Sequence, residues 1–238
     1  VVTKVNSKVL DVQWGSSANG TNAQVWTSNG STAQKWHFSS PDRWMQSLLS
    51  GSSVGRNASQ LLLVNAWGGT SASVELWDRA SGSWQLSSSM SGYVGSNGVG
   101  RASEYWSATP YGAYRLNLAF GVHDNPGTQL PYRKITPNSY WVGGVDDPLY
   151  NTWVESSYRR NAGDERLADY PNSYEYAMAF DYDGGYAGGS AFFLHVSNGR
   201  PTAGCISVSR DNMIYLMGAI REGAYIVNVN EWSQIADL

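Results

Sequence analysis

The most informative part of the chain is the stretch from residue 192 to residue 206, which reads FFLHVSNGRPTAGCI. The apolar run Phe192–Leu194 has the composition of a buried β-strand, and it ends in His195. Ten residues after this histidine comes Cys205, directly preceded by Gly204. The pattern predicts that a histidine and a cysteine lie on one pair of strands.

This arrangement suits nucleophilic chemistry. A thiol with a free pKa of about 8.5 is a weak nucleophile at neutral pH, so a histidine able to take its proton activates it. A glycine before the cysteine lets a substrate carbonyl approach the backbone N–H groups closely. We therefore predict Cys205 as nucleophile and His195 as base, because His37 and His123 lie elsewhere in the sequence. The alternative is a buried, inert thiol, the usual state of a lone cysteine.

The C-terminal part resembles the L,D-transpeptidase catalytic domain, in which a strand-borne histidine precedes a Ser/Thr-His-Gly-Cys motif. Thr202, Gly204 and Cys205 match that motif. The resemblance runs from about residue 58 to residue 230. The family also has a glycine-rich segment that leads into a T-P-x-G-x-[FY] strand. The residues that resemble it here are Val94-Gly95, Gly98, Gly100-Arg101, Thr109-Pro110 and Gly112-Ala113-Tyr114.

The resemblance implies a mainly β fold: an L,D-transpeptidase-like β-sandwich with one or two short helices. It also implies acyl transfer on peptidoglycan stem peptides without a cofactor. The backbone N–H groups of Ala203, Gly204 and Cys205 would hold the oxyanion. Thr202, Arg101 and Tyr132 are predicted to contact substrate, Arg101 through a carboxylate of the stem peptide.

The chain departs from the family pattern in three places. Ala203 stands where the second histidine of the motif is usual, and Ser207 replaces the usual Asn or Arg. The interval from His195 to Cys205 is shorter than usual. These changes leave the proposed base in place but alter the wall of the site and the access to it.

The N-terminal residues resemble one repeat of the ricin-type β-trefoil lectins, whose signature is Q-x-W; here Gln34 and Trp36 supply it. In that family a polar pair and an aromatic ring bind sugar, and Asp11, Trp26 and Asn29 match those positions. A trefoil needs three repeats to close, so a lone copy is equally consistent with a remnant that packs on its neighbour.

The two resemblances and the composition between them predict three segments. Residues 1–40 form the lectin-like repeat, the Ser/Gly-rich stretch 41–58 reads as a linker around one short apolar turn, and 59–238 form the catalytic domain. Within the last, the interval 121–171 has the character of a binding lid. One helix is predicted after Ser209, with the apolar stripe Met213, Leu216, Met217 and Ile220 and with Gly223 as its stop.

Composition limits the partners. The 26 glycines, 11 tryptophans and 15 tyrosines, with charged residues at only 15%, favour short strands and turns. A net charge of −3 provides no basic field for nucleic acid. No apolar run reaches the length of a membrane span, no ligand spacing indicates a metal site, and no glycine run has the order of a nucleotide-binding loop.

The resemblance to the L,D-transpeptidase domain thus implies a secreted enzyme of the bacterial cell wall, which forms 3-3 cross-links or attaches amines to the third stem residue. Its partners would be stem peptides and, through the N-terminal repeat, wall glycan. An L,D-carboxypeptidase would use the same residues, with water as acceptor. Two further readings stay open: a non-catalytic wall-binding protein, and a cysteine peptidase acting on proteins.

Overall fold

A computed structural model describes residues 8–16, 21–35 and 41–238 of the chain. The contacts divide it into two compact units, Val1–Trp44 and Met45–Leu238. No helix among the described residues is both long and apolar enough to cross a membrane.

The elements are short, as the glycine-rich composition predicts. The helices are α1 (Pro41–Gly51), α2 (Ser53–Asn57) and α3 (Arg210–Ala219). The strands are β1 (Lys8–Val12), β2 (Ala23–Thr27), β3 (Gln60–Asn65), β4 (Ser71–Ala80), β5 (Ser83–Tyr93), β6 (Val99–Gly100), β7 (Thr109–Pro110), β8 (Gly112–Gly121), β9 (Tyr132–Lys134), β10 (Ser139–Trp141), β11 (Trp153–Glu155), β12 (Glu165–Arg166), β13 (Ala177–Phe180), β14 (Phe193–Val196), β15 (Ile206–Val208) and β16 (Ala224–Val229).

The N-terminal unit contains one antiparallel pair, β1 with β2, in which Leu10 is paired with Val25. Single 3-10 turns follow each strand, at Gln13–Gly15 and Thr32–Gln34. This is the local structure expected of one repeat, and assignment to a β-trefoil stays a prediction. Trp36 of the Q-x-W signature lies outside the described residues.

The larger unit is built on one nine-stranded sheet with the order β13-β14-β15-β5-β4-β3-β16-β8-β9. The mainly β prediction is confirmed. The sheet also closes on itself, because β8 pairs with β16 through its first half and with β13 through its second half. A barrel-like sheet is therefore present where a β-sandwich is predicted. The length of β8, ten residues, is what allows it to serve both partners.

Both faces of the central strand β3 are covered, so all six of its residues are buried. Leu62 and Val64 pack in the cluster that includes α3, whereas Leu61 and Leu63 pack in a second cluster beneath α1 and α2. This explains why β3 is a continuous apolar run and not an alternating one.

Residues 41–58, which the sequence predicts to be a linker, form helices α1 and α2 instead. Met45 and Leu49 lie four residues apart and are both buried, which is one face of a helix. Ser52 caps α2 by accepting a hydrogen bond from the N–H of Gly55. The serines and glycines thus cap and connect short helices here.

The helix predicted after Ser209 is confirmed as α3. The Ser209 hydroxyl accepts a hydrogen bond from the N–H of Asn212, and Met213, Leu216 and Met217 are its fully buried residues. In the interval 121–171, strands β11, β10 and β12 form a small separate sheet. Trp141 of this sheet packs edge-on against Phe193 of β14, which places the interval beside the strand that carries His195.

Candidate active site

His195 lies on β14, and Cys205 lies just before the neighbouring parallel strand β15. In the register of β14 and β15, His195 is paired with Ser207, and Cys205 directly precedes β15. Because side chains alternate along a strand, Cys205 and Ser207 project to the same face of the sheet as His195. The nucleophile and the base of the prediction are therefore diagonal neighbours on one face.

Both side chains line one cavity of about 350 Å³. The loop before the cysteine, residues 201–204, forms one wall. The remaining walls come from β12 and from the segments around β13 and β14, with the residues Glu165, Tyr170, Ser173, Tyr174, Ser190, Ala191, Phe192 and Asn198. The predicted lid interval thus contributes Glu165 and Tyr170 to the site.

The imidazole of His195 is oriented by the backbone. Nδ1 lies 2.8 Å from the carbonyl oxygen of Val196, so Nδ1 carries the proton and Nε2 is the basic nitrogen. The ring of Tyr174 packs edge-on against the imidazole at 5.7 Å between centroids. Burial lowers the pKa of His195 below its ordinary value, an effect that the Val196 carbonyl opposes. At neutral pH the ring is uncharged and able to accept a proton.

The thiol of Cys205 is hydrogen-bonded to the backbone at the start of β14. Sγ donates to the carbonyl oxygen of Ala191 at 3.3 Å and accepts from the N–H of Phe193 at 3.4 Å. Burial, and next the charge of Glu165, raise the pKa of Cys205 to about 12. Within the described site no hydrogen bond joins Sγ to His195, so the resting pair is a neutral thiol and a neutral imidazole.

Two threonines hold the loop that carries Cys205. The hydroxyl of Thr202 donates to the carbonyl oxygen of Cys205 at 2.6 Å and accepts from the N–H of Gly204 at 3.0 Å. The buried hydroxyl of Thr109 donates to the carbonyl oxygen of Gly204 at 2.7 Å and accepts from the N–H of Gly95 at 2.9 Å. The glycine-rich segment and the cysteine loop are thereby joined.

These bonds change two sequence-based assignments. Thr202, predicted to contact substrate, uses its hydroxyl within the loop. Gly204, predicted as an oxyanion donor, has its N–H bonded to Thr202. No residue of the described chain accepts a hydrogen bond from the N–H groups of Ala203 and Cys205, so these two are the donors available to an oxyanion.

Two backbone positions beside the thiol have positive φ. Gly204 has φ +145°, and a Cβ there would lie 2.5 Å from Cε1 of Phe192, so only glycine fits. Ala191 has φ 55°, a left-handed conformation that is unfavourable for alanine. Its N–H donates to Oδ1 of Asn151 at 3.2 Å, a bond that helps to hold the carbonyl of Ala191 at Cys205.

Arg101 and Tyr132, both predicted to contact substrate, do not line the cavity of Cys205. Arg101 is exposed. The hydroxyl of Tyr132 donates to the carbonyl oxygen of His123 at 2.7 Å, and its ring packs at the edge of the main core cluster. A glycine-rich motif identifies a loop, but it does not say which of its side chains turns towards the site.

Sequence reasoning missed three residues of the site. Thr109 belongs to the Thr-Pro segment of the family resemblance, but the sequence does not indicate that its hydroxyl holds the cysteine loop. Glu165 and Tyr174 lie in or next to an interval without periodicity or motif, and no sequence signal identifies them. The hydroxyl of Tyr174 donates to Oε1 of Glu165 in the wall of the cavity.

The N-terminal unit has a cavity of its own, of about 470 Å³, that brings together Asp11, Trp26 and Asn29. Asp11 is buried, and its two carboxylate oxygens accept from the side-chain amides of Gln24 and Gln34. Trp26 is 53% exposed and available for stacking on a ligand. Gln34 of the Q-x-W signature thus orients the aspartate.

Among the described residues, no group of three or more His, Cys, Asp or Glu side chains could hold a metal ion.

No model of a protein family matches the sequence, and a search of curated proteins finds no match. Solved structures similar to this chain include the helical cell shape determining protein Pgp2 from Campylobacter jejuni, with TM-score 0.44, 13% identity, and coverage of 83% of this chain and 60% of that one. Bd1075 from Bdellovibrio bacteriovorus has TM-score 0.42, 13% identity, and coverage of 78% and 56%. L,D-transpeptidase 1 from Mycobacterium tuberculosis has TM-score 0.33, 15% identity, and coverage of 72% and 62%.

This chain therefore spans about three fifths of the length of the first of these structures. At this level of likeness we base the functional proposal on the geometry around Cys205.

Proposed function

We propose that the chain is a cysteine-dependent acyltransferase of the L,D-transpeptidase type, acting on the stem peptides of peptidoglycan. The observation that carries the proposal is the pairing of Cys205 with His195 in one cavity, with Nδ1 of the histidine fixed on the Val196 carbonyl. A lone cysteine of the core needs neither an oriented base nor a cavity. The choice of substrate rests on the resemblance of the sequence to the family.

The first half-reaction forms a thioester. The S–H bond of Cys205 turns from the Ala191 carbonyl towards Nε2 of His195, directly or through one water, and gives up its proton there. Sγ attacks the carbonyl carbon of the third stem residue, and the N–H groups of Ala203 and Cys205 stabilise the oxyanion. The peptide C–N bond then breaks, the proton on His195 passes to the leaving amine, and a D-amino acid departs.

In the second half-reaction an amine of another stem attacks the thioester, His195 takes its proton, and Sγ leaves and is reprotonated. The product is a 3-3 cross-link, or an amine attached to the third stem residue. With water as acceptor the same steps give a free carboxylate, the outcome of an L,D-carboxypeptidase. The high pKa of Cys205 makes the base essential, because little thiolate exists without it.

The test is incubation of the protein with a purified tetrapeptide muropeptide, followed by separation and mass analysis of the products. We expect release of the terminal D-amino acid together with a dimer or a tripeptide, and neither with Cys205→Ala. Turnover by Cys205→Ala at the wild-type rate, or cleavage of casein in place of the muropeptide, contradicts the proposal.

A second candidate function is the binding of wall glycan by the N-terminal unit. The exposed ring of Trp26 beside the fixed carboxylate of Asp11 favours it, since sugars stack on aromatic faces and bond to carboxylates. Sedimentation with insoluble peptidoglycan should fall for Trp26→Ala and stay unchanged for Cys205→Ala. Equal sedimentation of Trp26→Ala and wild type would show that this cavity does not bind glycan.

A further inference from the structure

Glu165 reaches the cavity of Cys205 from β12, in the interval that carries no motif. It lines this cavity and also an adjoining cavity of about 200 Å³. Its charge lies near enough to the thiol to contribute to the raised pKa of Cys205. A side chain so close to the reacting sulfur is in a position to contact any substrate that reaches it.

One oxygen of this carboxylate is held in place. Oε1 of Glu165 accepts a hydrogen bond from the hydroxyl of Tyr174, whose ring packs edge-on against His195. No residue of the described chain donates to Oε2. The glutamate is therefore oriented by the same tyrosine that packs on the base, and its second oxygen is available to a ligand.

Among the described residues, no lysine or arginine forms an ion pair with this carboxylate. Two other sheltered acids do have such a partner: Asp147 bonds to Arg160 at 2.8 Å, and Glu175 pairs with Arg210. No described lysine or arginine lines either cavity beside Glu165. Burial raises the pKa of Glu165, an effect that the Tyr174 hydroxyl opposes. A sheltered carboxylate without a cation is costly, and a cationic ligand would remove that cost.

We propose that Glu165 is a specificity residue, whose carboxylate binds a primary ammonium group on the side chain of the residue whose carbonyl carbon Cys205 attacks. This inference rests on the proposed function and names a feature of its substrate. An ammonium donor would form a charge-assisted hydrogen bond to Oε2, in a site sheltered from water. A carboxylate at the same place would meet repulsion, and Arg101 lies outside the cavity and does not relieve it.

Two synthetic tetrapeptide stems test this, both with L-lysine as third residue, one with a free side-chain amine and one acetylated on Nζ. The readout is kcat/KM for release of D-alanine. We expect wild type to prefer the free amine by about 10- to 100-fold, the range of a hydrogen bond between charged groups. Glu165→Gln should lose the preference, because its rate with the free amine falls relative to its rate with the acetylated stem.

Glu104→Gln is the matched control, because Glu104 is also bonded by a tyrosine, Tyr150, but lines only the adjoining cavity. It should keep the preference. Equal use of the two stems by wild type, or a preference retained by Glu165→Gln, overturns the inference and leaves the proposed function standing. Release of D-alanine from neither stem overturns the proposed function and the inference with it.

Binding provides a readout without chemistry. In Cys205→Ala, titration calorimetry with the two stems should show the same preference for the free amine as a difference in Kd. This measurement keeps the inference testable even where Glu165→Gln does not fold. Equal Kd values in Cys205→Ala count against the inference.

Discussion

The resting thiol of Cys205 should be unusually unreactive. Burial raises its pKa from 9.0 to about 12, which lowers the thiolate fraction at neutral pH about 1,000-fold. A more basic thiolate is intrinsically more nucleophilic, with a slope of about 0.4–0.5 per pKa unit, so the net deficit is roughly 30-fold before any steric shielding. The folded protein should therefore react with iodoacetamide at least about 30-fold more slowly than an ordinary cysteine does.

The chain makes this a clean assay, because Cys205 is its only cysteine and each alkylation adds one mass increment. The same protein unfolded in urea provides the reference rate. Between pH 7 and pH 9 the rate of the folded protein should rise nearly tenfold per pH unit. Glu165→Gln should react faster than wild type, because the charge of Glu165 is the second cause of the raised pKa.

An ion pair between a Cys205 thiolate and a protonated His195 would behave differently. Its alkylation would be fast and nearly independent of pH above the pKa of the pair. A folded rate equal to the unfolded rate at pH 7, or a flat profile up to pH 9, would refute the neutral resting state and the role that it assigns to the base.

Further predictions concern the base and the loop of the nucleophile. Burial lowers the pKa of His195, and a neutral imidazole is the active form, so kcat/KM should fall with acid only below pH 6.5; an acid limb centred above that value contradicts the assignment. Thr109→Val removes a buried hydroxyl that accepts from the N–H of Gly95 and donates to the carbonyl oxygens of Gly204 and Cys205, and it should lower the free energy of unfolding by about 3 kcal/mol, as measured in urea, whereas Thr109→Ser should lose less than half as much. Gly204→Ala should lower the free energy of unfolding by on the order of 3 kcal/mol and abolish release of D-alanine, because alanine is strained at this φ and its Cβ would collide with the ring of Phe192. A variant as stable as wild type would contradict this backbone geometry. Ala191→Gly should stabilise the fold by up to about 1 kcal/mol, measured as a raised Tm, because glycine relieves the left-handed conformation.

The strand pair of the site could be predicted because its signals are local. An apolar run that ends in His195 and a glycine before Cys205 predict one strand each. The parallel register of the two strands is known only from the structure. Helix α3 could be predicted for the same reason, because Ser209 marks its start and apolar residues recur along it at intervals of three and four residues. Each of these features is specified by a single short stretch of consecutive residues.

The features that sequence reasoning missed depend on contacts between distant residues. Glu165 meets Cys205 through a fold of the chain that no short pattern encodes, and the N–H of Gly204 is taken up by the hydroxyl of Thr202 because of the turn between them. Closure of the sheet depends on β8 pairing with both β13 and β16. Helices α1 and α2 were hidden by serine and glycine, residues that read as linker but here act as caps.

The central claim is that Cys205 forms a thioester with a stem peptide with the help of His195. Its most direct test is the intact mass of the protein after brief incubation with a tetrapeptide muropeptide, or with a carbapenem as a covalent probe of the same nucleophile. We predict an adduct on wild type, none on Cys205→Ala, and slow or absent formation on His195→Ala. An adduct on Cys205→Ala, or no adduct on wild type with either reagent, would contradict the claim.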